Sequence, residues 1–168
     1  MSWHVLGLPD GRGGMPSPWL LHWAQRHGVE QVPQHDWQRP LRGDWMMQLE
    51  EAVLRHLRVV LVADQLACHL VAAWAAHSRL TNRVLAAWLV ATPALARTED
   101  KARLPSWFPV VRAPLPFPAW SIAAEADAPV QDWGAQILTL AGPHSAEPAW
   151  QAGWDSLQSQ TQAFIETN

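Results

Sequence analysis

The sequence predicts one doubly wound α/β domain, with a mostly parallel sheet of about five or six strands and helices on both faces. Short apolar runs alternate with longer stretches of helical spacing along all 168 residues, the pattern of successive strand–helix units. The central run, Val59-Val60-Leu61-Val62-Ala63, is apolar at every position, as in a strand covered on both faces. It passes through a turn of two or three residues straight into the next helix. Hydrophobic residues make up 49% of the chain and charged residues 16%, enough apolar surface for a single packed domain spanning residues 1–168.

Trp3 to Leu8 reads as the first strand, ended by the Gly/Pro loop Pro9-Asp10-Gly11-Arg12-Gly13-Gly14-Met15-Pro16. Ser17 and Pro18 stand where an N-cap and a first helical residue are expected. Trp19, Leu20, Trp23 and Ala24 supply the apolar face of that helix, and Gly28 stops it. The loop before it lacks both the G-x-x-x-x-G-K-S/T and the G-x-G-x-x-G spacing, so phosphate cradling is a weak reading. Val29 to Val32 predicts a short second strand. A helix from about Gly43 follows, with Trp45, Leu49, Ala52, Val53 and His56 at helical spacing.

The central strand, Arg58 to Ala63, leads into a helix from Leu66 to about His77. Arg83 to Thr92 is the fourth strand. The proline-rich stretch from Pro93 to Pro118 is too apolar for a linker and predicts an ordered loop or short cap. Ala119 to Ala123 and Gln136 to Leu140 are the fifth and sixth strands, and Glu125 to Gly134 between them is too short for a full crossover helix. The last helix runs from about Glu147 to Ile165, its inner face formed by Trp150, Trp154, Leu157 and Phe164. Ligands in such folds sit beyond the C-terminal ends of the strands, here the loops after Leu8, Ala63, Thr92, Ala123 and Leu140.

Composition narrows the function. A net charge of -3, from 12 basic and 15 acidic residues, gives no electrostatic case for nucleic acid or an anionic membrane. No apolar run reaches the roughly 18 residues of a membrane span, and no signal segment is expected. A single cysteine, Cys68, excludes an internal disulfide and suits a cytoplasmic protein. The chain has 12 Trp and no Tyr. Most of these Trp fall inside apolar stretches, which favours core over stacking platforms for bases or sugars.

The strand–turn–helix at Ala63-Asp64-Gln65-Leu66-Ala67-Cys68 is the frame of a nucleophile elbow, whose apex lifts one side chain above the sheet. The apex residue should be Ser, Cys or Asp, and here it is Gln65. Other stretches carry a resemblance: His35-Asp36-Trp37-Gln38-Arg39-Pro40, Asp44-Trp45, Val71-Ala72-Ala73-Trp74, Leu89-Val90-Ala91-Thr92-Pro93 and Ala113-Pro114-Leu115-Pro116-Phe117-Pro118. Together with the elbow they resemble the small single-domain serine hydrolases related to retinoblastoma-binding protein nine, an α/β-hydrolase family common in bacteria.

The resemblance implies an α/β-hydrolase-like three-layer sandwich and a Ser–acid–His triad. Where that family reads A-H-S-L-G-C, this chain has Gln65 for the Ser and Ala67 for the Gly. The acid falls at Asp127. The late His falls at His144, behind Pro143 and out of step with the family's A-G-H motif. Gln65, Asp127 and His144 are therefore triad-equivalent positions expected to be inactive, in a pocket lined by Leu8, Pro9, Asp64 and Leu66 with loop residues near Trp107 and Phe117.

The leading expectation is a non-catalytic relative, a pseudoenzyme that binds a small ligand or a protein partner, as a monomer or homodimer. The alternative is an active esterase with a non-standard nucleophile, for which Asp64 is the nearby candidate. A cap on the following helix or an ion pair with an Arg is the blander role for Asp64, and the cap is preferred. Cys68 reads as a buried helix residue. No cofactor is expected. No metal is expected either, since the eight His form no H-x-x-x-H or Cys/His cluster.

Overall fold

The computed structural model describes residues 2–11, 15–140 and 147–168. Six parallel strands form one sheet: β1 (His4–Leu8), β2 (Glu30–Gln31), β3 (Val59–Asp64), β4 (Val84–Val90), β5 (Ala119–Ile122) and β6 (Gln136–Ile137). Their spatial order is β2-β1-β3-β4-β5-β6. Among the described residues five α-helices accompany them: α1 (Pro18–His27), α2 (Arg42–Leu54), α3 (Leu66–His77), α4 (Thr98–Arg103) and α5 (Glu147–Thr167). The order reverses between β1 and β3, and a doubly wound sheet opens its ligand crevice at such a switch point.

β3 explains the layering. All six of its residues are buried, and strand periodicity sends them alternately to two faces. Val59, Leu61 and Ala63 join one core, which holds Trp45, Leu49 and Val53 of α2 and Leu66, Leu70 and Trp74 of α3. Val60 and Val62 join the other, which holds Trp19, Leu20 and Trp23 of α1 and Trp154 and Leu157 of α5. Nine of the 12 Trp are buried, so the tryptophan richness serves packing. Gly7 permits one close approach: a Cβ there would lie 2.8 Å from Val29 Cγ1 and 3.2 Å from Leu20 Cδ1.

Polar atoms fasten the layers. Trp74 Nε1 and Ser78 Oγ both donate to Glu50 Oε1, at 2.8 and 2.6 Å, joining α3 to α2. Trp88 Nε1 donates to Thr161 Oγ1 at 2.9 Å and Trp120 Nε1 to Gln160 Oε1 at 2.8 Å, joining β4 and β5 to α5. These indole bonds change which residues line the inner face of α5. Thr161 and Leu157 are fully buried, whereas Trp150 is only half-buried and Phe164 is 37% exposed.

The proline-rich segment contains α4 and a 3₁₀ turn at Pro105–Trp107. Trp107 anchors the segment, 1% exposed, with its Nε1 donating to Pro40 O at 2.7 Å. β6 is shorter than expected, pairing only at Gln136 and Ile137. It follows β5 through turns with no helix between them, as the length of that connection requires.

Candidate functional site

The elbow forms where the sequence places it. β3 ends at Asp64, α3 begins at Leu66, and Gln65 between them has φ 53° and ψ -113°, a region costly for a residue with a Cβ. Buried neighbours hold it there: Gln65 N–H donates to Val90 O at 2.9 Å, and Cys68 N–H donates to Gln65 O at 3.0 Å. From Val59 to Trp74, Gln65 is the single residue that is not buried. Ala91 and Ala123, just past β4 and β5, also have positive φ, 56° and 55°. Three adjacent strands thus end in strained backbone at one rim of the sheet.

Gln65 lines a cavity of about 330 Å³ together with Ser17, Pro18, Trp19, Asp64, Ala91 and Trp150. Two of its polar side chains converge on Asp64, which is 1% exposed. Ser17 Oγ donates to Asp64 Oδ2, and Gln65 Nε2 reaches Asp64 Oδ1 at 3.4 Å. Ser17 does occupy the N-cap position of α1, but it makes no side-chain cap bond. The carboxylate of Asp64, 47 residues away, takes its hydroxyl instead.

The cap on α3 comes from Asp10. Leu66 N–H donates to Asp10 Oδ2 at 3.2 Å, and Asp10 is only 5% exposed. Gly11, with φ 66°, lets this loop pass against Trp37, where a Cβ would lie 2.3 Å from Cε3. In a nucleophile elbow the N–H of the residue after the apex is one of the two oxyanion-hole donors. Here that donor is engaged by a carboxylate of the chain itself.

The other expected site residues fall elsewhere. Leu8 and Leu66 belong to the core on the α2/α3 face, as do Trp107 and Phe117, and Pro9 is buried. Of the expected pocket residues, Asp64 alone lines the cavity at Gln65. Asp127 is exposed, with φ 68°, and lines a different cavity of about 660 Å³ beyond β5 and β6, beside Glu125 and Gln131. Glu125 is engaged there, accepting from Ala94 N–H at 2.9 Å. His144 and Pro143 lie outside the described residues. Ala67 is fully buried in the core, so its methyl is accommodated.

The remaining reactive groups near the elbow are muted by burial. Desolvation pushes the Cys68 thiol up to about 12, far from a thiolate at neutral pH. Desolvation likewise pushes His69 down to about 4, against the raising effect of its 2.7 Å bond to Pro93 O. His69 is therefore a neutral imidazole at neutral pH. Sequence reasoning missed Asp10 and the role of Ser17. The signal for Asp10 was its place, two residues past β1, opposite the elbow across the switch point.

Comparison with known proteins agrees with this frame. A family model described as serine hydrolase matches residues 6–160. Among solved structures the fold is similar to a YdeN-like hydrolase of Pectobacterium atrosepticum, with a TM-score of 0.73, 17% identity, and 96% of this chain and 92% of that one covered. It is also similar to the ydeN gene product of B. subtilis, with a TM-score of 0.63, 16% identity, and coverage of 94% and 98%. A hydrolase of the α/β superfamily from Xanthomonas campestris gives a TM-score of 0.56 at 16% identity, covering 97% and 99%. No curated protein matches the chain. At these identities the structural likeness establishes an α/β-hydrolase fold.

Proposed function

The chain belongs to the serine hydrolase family, and we propose that it is a member without acyl-transfer activity, using the elbow cavity to bind rather than to cleave. One observation carries this reading. The apex side chain is an amide with no nucleophilic oxygen, and the backbone donor behind it already holds Asp10. A tetrahedral intermediate would need a nucleophile at Gln65 and a free N–H at Leu66. The relation to retinoblastoma-binding protein nine is part of the same proposal, resting on the motifs quoted from the sequence.

The cavity walls suggest the occupant. Trp19 and Trp150 offer aromatic surface, while Ser17, Asp64 and Gln65 offer hydrogen-bonding groups on one side. That combination suits a small molecule with an apolar body and a donor group, or a side chain of a protein partner. Nucleic acid and membrane surfaces are disfavoured by the chain's net charge of -3, and a homodimer is compatible with this reading.

The test is incubation of the pure protein with a fluorophosphonate probe and short p-nitrophenyl esters, beside the Gln65→Ser, Ala67→Gly double variant. The expected result is no labelling and no turnover by the natural protein. A specific alternative is hydrolysis through Ser17, whose hydroxyl bonds to a buried carboxylate on the cavity wall. A fluorophosphonate adduct mapped to Ser17, abolished by Ser17→Ala, would establish that activity and overturn the non-catalytic reading.

A further inference from the structure

At the opposite end of β1 from the elbow loop, three side chains from separate elements meet. His4 opens β1, Glu30 lies on β2, and His56 follows the C-terminal end of α2. The register accounts for the meeting. Glu30 pairs with Leu6, and His4, two residues before Leu6, projects from the same face of the sheet. Leu6 packs in the core beneath α2, and that helix delivers His56. The backbone of His56 is fixed by its N–H bond to Val53 O at 3.0 Å and by Arg83 Nη1 donating to His56 O at 3.1 Å.

The distances are informative. His4 Nε2 lies 3.5 Å from Glu30 Oε1, and His56 Nε2 lies 3.5 Å from Glu30 Oε2. These are too long for good N–H···O bonds, which fall at about 2.7–3.2 Å. Each is close to the separation of two donors on one tetrahedral zinc, about 3.4 Å for bonds of roughly 2.0–2.1 Å, with His4 facing Oε1 and His56 facing Oε2. One donor atom from each residue can be chosen so that all three lie within 4.8 Å of one another. Both imidazole Nε2 atoms are also shielded from solvent and without a hydrogen-bond partner. Buried polar atoms normally have partners, and two that flank one carboxylate point to a ligand between them.

We propose that His4, Glu30 and His56 bind a divalent transition-metal ion, zinc above all, through a His₂Glu donor set with a fourth position open to water. The donor types suit zinc better than calcium or magnesium, which favour all-oxygen shells. The rings now stack with centroids 3.8 Å apart and planes 13° apart, so one imidazole must swing about its χ2 for both lone pairs to converge. Room exists for this: the His4 side chain is 38% exposed. Arg55 opposes the cation, its Nη2 lying 3.4 Å from Glu30 Oε2, but it is an exposed, movable side chain. The site tethers β1 and β2 to the end of α2 and is separate from the elbow. Local spacing could not reveal it, since its members lie 26 residues apart in each interval.

The experiment is calorimetric titration of chelator-stripped protein with zinc. One saturable equivalent per chain is expected. Glu30→Gln and His56→Gln should each weaken binding by roughly 100-fold, at least the upper range seen when a mere supporting group is lost. His22→Gln and His27→Gln should leave binding unchanged. Arg55→Ala should tighten binding about tenfold, the effect of one charge on a divalent ion roughly 5 Å away in water-like dielectric. Imidazole resonances of the natural protein, followed during the titration, remain informative if a variant folds poorly. The proposal is overturned by an absence of saturable binding, by a site that survives the Glu30 and His56 substitutions, or by resonances of His4 and His56 that do not move.

Discussion

Replacing Asp10 by Ala tests whether its carboxylate stands in for a substrate oxyanion. Among the contacts removed is the bond from Leu66 N–H to Asp10 Oδ2, 3.2 Å long, with Leu66 fully buried and Asp10 5% exposed. A buried N–H left without an acceptor costs about 1–3 kcal/mol. Loss of a negative charge at a helix N-terminus adds roughly 0.3–1 kcal/mol. Together these predict a destabilisation of about 3 kcal/mol, or a Tm lower by roughly 6–12 °C for a chain of this size.

Asp10→Asn keeps an acceptor for Leu66 N–H and forfeits the charge, so its loss should be the smaller, about 1 kcal/mol. Urea unfolding followed by tryptophan fluorescence gives the ranking. A second arm isolates the anion-binding role, because sulfate stabilises any folded protein through general exclusion. In Asp10→Ala alone it can also occupy the vacated helix N-terminus, so sulfate should raise the Tm of that variant more than that of the natural protein. An Asp10→Ala variant within 0.5 kcal/mol of the natural protein, by the ordinary range of inconsequential surface changes, refutes the reasoning. So does an equal response of both proteins to sulfate.

Three further outcomes are expected. Gln65→Gly should stabilise the fold by about 1 kcal/mol, since glycine relieves the penalty of φ 53°, a strain worth roughly 1–3 kcal/mol less glycine's added chain entropy; a measured destabilisation would show that the amide is held by contacts worth more than the strain. His69 keeps its imidazole neutral down to about pH 4 when folded, whereas an unfolded chain protonates near 6.5. Acidification through that window therefore adds a proton only to the unfolded state, and stability should fall by about 3 kcal/mol between pH 6.5 and 4. His69→Gln should flatten that slope in pH-dependent urea melts. Cys68, with its thiol pushed up to about 12 by burial, should resist iodoacetamide at pH 8 until denaturant is added.

Much of the fold was legible because its signals are local. α3 was read to its bounds, since a helix pressed between sheet and α2 is apolar almost throughout. β3 was read because a strand covered on both faces shows no alternation. The elbow followed from that join. What escaped depends on partners remote in sequence. Ser17 obeys the local rule for an N-cap, yet its hydroxyl goes to Asp64. Asp10 reads as a turn residue until the sheet brings β1 and β3 side by side, with the N-terminus of α3 opposite it. Leu8 and Leu66 were placed beside the pocket because they flank it in sequence, but strand and helix geometry turns both into the core. α4 was hidden by surrounding prolines and by its brevity, six residues with four charges among them.

The two outermost strands, β2 and β6, are each only two residues long. A strand that short offers too few backbone groups to template pairing with another chain. Both margins of the sheet are therefore poor templates for growth. Extension of the sheet from one molecule into the next is therefore disfavoured. A dimer is then expected to use helix faces or loops, and main-chain amide exchange in β2 and β6 should be the same in dilute and concentrated solution.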